Sequence, residues 1–178
     1  MSEYVGQAGP STRARGVRIH RLLELINAEV TYEQVLRLSA IVAPEWDEAE
    51  RATIASEIMA LVENERWIWQ FPSHAEVNIA GTILVNGEAM SISGQIDRVV
   101  MMPDGITVID YKTGRHVPKD ASDISETYRL QMKSYQALLR DIWPGKPIRC
   151  AILWTAAPTL MWCDEAVEQT AWPIRRAS

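Results

Sequence analysis

Asp110 and Lys112 stand two residues apart in the β-branched run Val108-Ile109-Asp110-Tyr111-Lys112. On a strand, that spacing sends both side chains to one face and Tyr111 to the other. Upstream, Gly94-Gln95-Ile96-Asp97-Arg98 belongs to a second extended run, and Pro103-Asp104-Gly105 between the two reads as a hairpin turn. Pro103 suits the second position of a type I turn and Gly105 the left-handed residue after it. If Met102 pairs with Gly105, Asp97 falls opposite Asp110; a bulge at Gly105 would move the register by one residue.

Two facing carboxylates repel, and burying them without a counter-charge is costly. A hard divalent cation such as Mg²⁺ satisfies both, because it takes oxygen ligands, keeps some waters and bridges carboxylates to phosphate. Lys112 beside that ion would position an attacking water and stabilise charge growing on the phosphate. That is the equipment of phosphodiester hydrolysis. Taken alone, an Asp-x-Lys pair is more commonly a solvated salt bridge, and Asp97-Arg98 also reads as a local ion pair.

Four other residues are candidates. His20 lies in a partly apolar helical run and is either a structural histidine or a metal ligand. Glu76 opens Glu76-Val77-Asn78-Ile79 and is either a further carboxylate near the metal or an exposed strand residue. Gln131 and Tyr135 are four apart on a helix and share a face, where they would contact DNA or brace the site. Tyr135 also fits a core aromatic with a tethered hydroxyl, and Gln131 a surface residue.

Helical and extended segments position these residues. Val17, Leu22, Leu23, Leu25 and Ile26 keep helical spacing around His20. Thr31 caps a second expected helix that Pro44 stops, and Asp47 opens a third over about 47–65. His74–Val85, Ser91–Met102 and Ile106–Lys112 read as strands. Helical spacing returns over 124–142 and ends at Pro144-Gly145, before a strand Ile148–Trp154 and a short edge strand Thr159–Trp162. Helices, three strands, a long helix and one or two strands make an α/β fold: a central mixed β-sheet flanked by helices, with an N-terminal helical segment. Residues 1–12 read as a linker or end segment, 13–165 as one domain and 166–178 as a C-terminal tail.

The 178-residue chain is 47% hydrophobic and 23% charged, as folded globular domains are. No run approaches the ~18 apolar residues of a membrane span and no signal peptide is legible, so no membrane partner and a cytoplasmic location are expected. Cys150 and Cys163 are too few for a four-cysteine iron-sulfur or zinc site and read as small apolar fillers. There is no GxxxxGK[ST] loop, hence no ATP site. The net charge of −5 is awkward for a nucleic-acid binder. Only local basic groups, Arg13, Arg15, Arg18 and Arg21 near the first helix and Arg175 and Arg176 at the other end, would offset it, and such clusters also fit a solvated face.

Taken in order, His20 within RGVRIHRLLELI, Glu76 within AEVNI, Asp97 within GQIDR, Asp110 and Lys112 within IDYKTGR, and Gln131 with Tyr135 in QMKSY resemble the RecB-like nuclease domain of the PD-(D/E)xK superfamily. With PGKPIRCAILWTAAP, the chain is similar to the C-terminal nuclease domain of the bacterial AddA helicase-nuclease over about 13–163. The resemblance implies a restriction-endonuclease-like core and a Mg²⁺-dependent (exo)deoxyribonuclease, with Mn²⁺ a possible substitute. It implies that His20, Asp97, Asp110 and the backbone carbonyl of Tyr111 ligate the metal, that Lys112 serves the attacking water, and that Gln131 and Tyr135 support the site. The implied partners are DNA, with single-stranded ends as substrate, the helicase core of a parent protein and an AddB-like subunit, in double-strand-break repair of the AddAB/RecBCD type. The alternative is a non-catalytic module of the same fold that positions DNA or docks a partner, for which an exposed patch around Trp67 and Trp69 would be the sign.

Overall fold

A computed structural model describes residues 10–163 and 174–176. Helix α1 (Pro10–Leu25) opens three residues before the expected domain start. Its inward stripe is Ile19, Leu22 and Leu23, continued by Ile26 just past its end, whereas Val17 and Leu25, expected on that face, are exposed. Thr31 caps α2 (Tyr32–Val42) through a reciprocal box: its hydroxyl accepts from Gln34 N, and Gln34 Oε1 accepts from Thr31 N at 2.8 Å. Asp47 Oδ1 likewise accepts from Glu50 N at the start of α3 (Glu48–Asn64). A single turn, α4 (Trp67–Gln70), leads to the sheet.

Strands β1 (Ser73–Val85), β2 (Glu88–Met102) and β3 (Gly105–Lys112) form an antiparallel meander. A short 3₁₀ turn at Ala121–Asp123 precedes α5 (Glu126–Ile142), which Ser125 caps. It carries the chain over to β4 (Ile148–Trp154), parallel to β3, and β5 (Thr159–Trp162) closes antiparallel on β4. Residues Ile174–Arg176 of the expected tail form β6 against β1, giving the order β5-β4-β3-β2-β1-β6. The sheet is mixed and carries helices on both faces, the α/β architecture expected.

Two turns differ from expectation. Strand β2 begins three residues early, because Asn86 (φ 53°) and Gly87 (φ 84°) make a tight turn that joins Val85 to Glu88. In the β2–β3 hairpin, Met102 does pair with Gly105, but Gly105 is not left-handed. A Cβ there would lie 2.5 Å from the Pro147 carbonyl oxygen, so glycine is required by close approach of the chain leading into β4.

Helices α1 to α4 pack on one sheet face around Leu22, Ile58, Leu61, Val100, Ile109 and Leu153. Helix α5 covers the other, around Ile96, Val108, Met132, Leu139 and Ile152. Strand β3, in the middle, is buried from Gly105 to Tyr111, as a strand covered on both faces must be. Asp110 therefore stands in an apolar wall. Cys150 and Cys163 are buried thiols, as expected of small fillers. Among the described residues no helix is long and apolar enough to cross a membrane.

Candidate functional site

The β2–β3 register expected from the turn holds from Met102↔Gly105 to Arg98↔Ile109 and then stops. At that point β2 exchanges its faces. Gly94 and Ile96 pack under α5, while Arg98 and Val100 face the α1–α3 layer. Strand β1 does the same at Glu76, a residue with φ 53°, so that Val77 and Ile79 lie on the α5 side while Ser73 meets Arg98 on the other. Asp97 is the residue at the crossover. Its side chain replaces the next rung of the ladder, with Oδ2 accepting from Tyr111 N at 2.6 Å.

This crossover changes how the two carboxylates meet. A strictly alternating strand would stand Asp97 over Asp110. Instead, Asp97 turns toward α1, where its Oδ1 lies 3.2 Å from His20 Nδ1, and Asp110 turns toward α5 with Lys112. They remain electrostatic neighbours. Donor atoms of His20, Glu76 and Asp97 lie within 4.8 Å of one another. Glu76 thus joins the cluster through its left-handed backbone, a conformation that costs a non-glycine residue about 1–2 kcal/mol.

Asp110 is 3% exposed, and its Oδ2 lies 2.6 Å from Lys112 Nζ, although among the described residues no donor is aligned on it as a hydrogen bond. Burial raises the Asp110 pKa and the Asp97 charge adds to that, against the pull of Lys112 and His20. Glu76 is raised by burial and by the charges of Asp97 and Glu24. Burial works against the charged forms of Lys112 and His20, but Asp110 outweighs it for the lysine and Asp97 for the histidine, so both are raised. Three acidic groups thus crowd one ammonium and one imidazole, and the place favours additional positive charge.

On the α5 side a hydrogen-bonded chain leads away from the amine. Lys112 Nζ lies 3.5 Å from Gln131 Oε1, Gln131 Nε2 donates to the Tyr135 hydroxyl at 3.1 Å, and that hydroxyl donates to the Gln95 carbonyl at 3.0 Å. Lys112 Nζ also stands 4.2 Å from the centre of the Tyr128 ring. Gly94 makes room for Tyr135, since a Cβ there would lie 2.8 Å from its hydroxyl oxygen. The spacing that puts Gln131 and Tyr135 on one helix face therefore ties the amine to the strand bearing Asp97.

His20 borders two hollows. A cleft of about 490 Å³ contains Glu24, Glu76, Gln95 and Asp97 in its walls. On the other side, a groove of about 960 Å³ runs past Gly16, Lys112, His116, Tyr128 and Trp154.

Expected basic and aromatic patches are differently employed. Arg15 pairs with Glu50 and Glu57, Arg18 with Glu45 and Arg21 with Glu24, so each of these arginines has an acidic partner, while Arg13 lines the groove that passes Lys112. The side chains of Arg175 and Arg176 lie outside the described residues. Trp69 is buried and donates its indole N–H to the Leu23 carbonyl, and Trp67 stacks on Trp162 at 6.0 Å. Trp69 is therefore not part of an exposed patch, while Trp67 and Trp162 form a half-buried stacked pair. Sequence reasoning also missed Arg98: an arginine after an aspartate reads as a local ion pair, whereas this guanidinium is buried between the sheet and α1, hydrogen-bonded to Leu23, Ser73 and Tyr111.

Comparison with known proteins agrees with this arrangement. The chain is 31% identical over 80 residues to a CRISPR-associated exonuclease Cas4/endonuclease Cas1 fusion of Myxococcus xanthus, a match covering 44% of this chain and 13% of that protein. It is 33% identical over 64 residues to an ATP-dependent helicase/nuclease of Acetivibrio thermocellus, covering 36% of this chain and 5% of that protein. The matched segments are small fractions of both relatives. The profile of the PD-(D/E)XK nuclease superfamily matches residues 3–170, nearly the whole chain. With its mixed sheet between helices and its acidic cluster at the broken β2–β3 ladder, the chain belongs to the PD-(D/E)XK nuclease superfamily.

Proposed function

We propose that this chain is a divalent-metal-dependent deoxyribonuclease module, and that Asp97, Asp110 and Lys112 carry its chemistry. The observation behind this reading is the convergence of His20, Glu76 and Asp97 within 4.8 Å, beside the buried Asp110–Lys112 pair. Two carboxylates and an imidazole suit Mg²⁺ or Mn²⁺, and the unaligned Oδ2 of Asp110 supplies a further buried oxygen. His20, Asp97, Asp110 and the Tyr111 backbone carbonyl would hold the ion, and Glu76, whose carboxylate lies in the same 4.8 Å cluster, would be a further ligand. A bound Mg²⁺ would neutralise phosphate charge and make water a better nucleophile at neutral pH.

The protein's own groups do the rest. Asp97 holds His20 and the Tyr111 amide, which fixes α1 against the end of β3. Lys112, kept protonated by Asp110, would orient the attacking water and meet the charge that develops on the phosphate. Gln131 and Tyr135 restrain that amine. The groove past Lys112, His116 and Tyr128 would receive a single strand, with Tyr128 as an aromatic surface.

The likeness to a helicase/nuclease supports a module of an AddAB/RecBCD-type repair enzyme, whose partners would be a helicase core and an AddB-like protein. The acidic balance and the paired α1 arginines favour delivery of DNA by such a partner over strong binding by this chain alone. The experiment is cleavage of single-stranded DNA with Mg²⁺ or Mn²⁺ by the chain and by Asp110→Ala. The expected result is metal-dependent cutting that the substitution lowers by at least about 10²-fold, the scale of losing a principal transition-state group. Equal cleavage by both would refute the role given to Asp110.

A further inference from the structure

Arg98 is 5% exposed, yet none of its hydrogen-bond partners among the described residues is a carboxylate. Its Nε donates to the Tyr111 hydroxyl, Nη1 to Ser73 Oγ and Nη2 to the Leu23 carbonyl, each at 2.8 Å, and its guanidinium carbon lies 5.9 Å from the Trp69 ring centre. Burying a permanent cation among neutral acceptors is unfavourable beside an apolar side chain of similar size. Packing alone therefore does not account for it.

What the three acceptors share is their place in the site. Leu23 lies in the last turn of α1, where carbonyls lack helical partners and carry the negative end of the helix dipole, one turn beyond His20. Tyr111 gives its N–H to Asp97 and sets its ring edge-on against the His20 ring at 5.6 Å. Ser73 opens β1, three residues before Glu76. One planar fork thus joins the elements bearing His20, Glu76 and the Asp110–Lys112 strand to the residue next to Asp97, where the ladder breaks. The three bonds leave a rigid guanidinium in distinct directions, which a lysine ammonium on a flexible stem does not reproduce.

We propose that Arg98 is a positioning residue: its buried guanidinium sets the spacing of His20, Glu76 and Asp97, and thereby the affinity of the site for a divalent ion. This inference rests on the metal-dependent reading above and reaches past it, since Arg98 touches neither the ion nor substrate. The test uses the chain as it is, with Mn²⁺ calorimetry, thermal melts with and without Mn²⁺, and kcat and KM on single-stranded DNA. Arg98→Lys should weaken Mn²⁺ binding about tenfold, the scale of losing an outer support of a metal ligand. It should reduce the rise in Tm that Mn²⁺ produces and lower kcat, with KM for DNA nearly unchanged.

Wild-type Mn²⁺ affinity and kcat in Arg98→Lys, even with a lower Tm, would make Arg98 a core strut and overturn the proposal. Should that variant not fold, Tyr111→Phe decides, because it removes one acceptor and keeps the ring. A severalfold loss of Mn²⁺ affinity supports the proposal and an unchanged affinity overturns it. A parent chain that binds no Mn²⁺ would sink the nuclease reading itself, and this inference with it.

Discussion

The ribbon of β1 and β2 has left-handed backbone at both ends, and the two ends use it differently. At the far end Asn86 and Gly87 turn the chain through positive φ, and among the described residues nothing lies within 4 Å of where a Gly87 Cβ would be. Asparagine and glycine adopt that backbone at little cost. At the near end the residue with positive φ is Glu76, inside the ladder between Ala75↔Arg98 and Val77↔Ile96. A glutamate there is strained, and strain of this kind persists where surrounding structure imposes it, commonly at functional sites. The same backbone state is a solvent-facing turn at one end and a device for gathering acids at the other.

The comparison can be broken at several points. The largest effect is expected from Asp97→Ala, which removes the acceptor of the Tyr111 amide and the partner of His20 together. Mn²⁺ binding measured by calorimetry should fall below detection, and cleavage should fall at least about 10²-fold. Next is Gly94→Ala, which drives a methyl to 2.8 Å from the Tyr135 hydroxyl. Denaturant unfolding should show a loss of about 1–3 kcal/mol, typical of overpacking, with weaker cleavage because the Tyr135–Gln95 bond is displaced.

The two ends themselves give smaller and opposite effects. Gly87→Ala should cost about 1 kcal/mol of stability, since alanine resists positive φ, and should leave Mn²⁺ affinity unchanged. Glu76→Gly should raise stability by up to about 1 kcal/mol by relieving the left-handed backbone, while weakening Mn²⁺ binding. If Glu76→Gly instead destabilises the chain and binds Mn²⁺ as before, the near end is a structural kink and the contrast disappears.

Much of this fold is legible in the sequence because its signals are local. The Thr31 box and the Asp47 cap depend on residues three apart, and β4 and β5 are bounded by Pro144-Gly145 and Pro158. The β2–β3 register follows from the length of one turn. Illegible features depend on distant partners. Gly105 reads as a turn glycine, but its constraint is the Pro147 carbonyl more than forty residues away in the chain. Val17 and Leu25 match a helical stripe, and only the packing of α1 leaves them exposed.

By itself, then, the sequence determined most of the elements, though not α4 or the strand β6 in the expected tail, together with the pairing of the central hairpin next to its turn and a set of site candidates from His20 to Tyr135. Those properties are encoded in periodicity, caps and turn length, all read within a few residues. The tertiary structure alone decided that β1 and β2 exchange faces at Glu76 and Asp97, that Asp97 therefore turns to His20 while Asp110 turns to Lys112, and that Arg98 is buried between the sheet and α1. An alternating pattern predicts faces only while alternation lasts, and here it ends where Glu76 takes a left-handed backbone and the Asp97 side chain replaces a rung of the ladder, between the layers of α1 and α5.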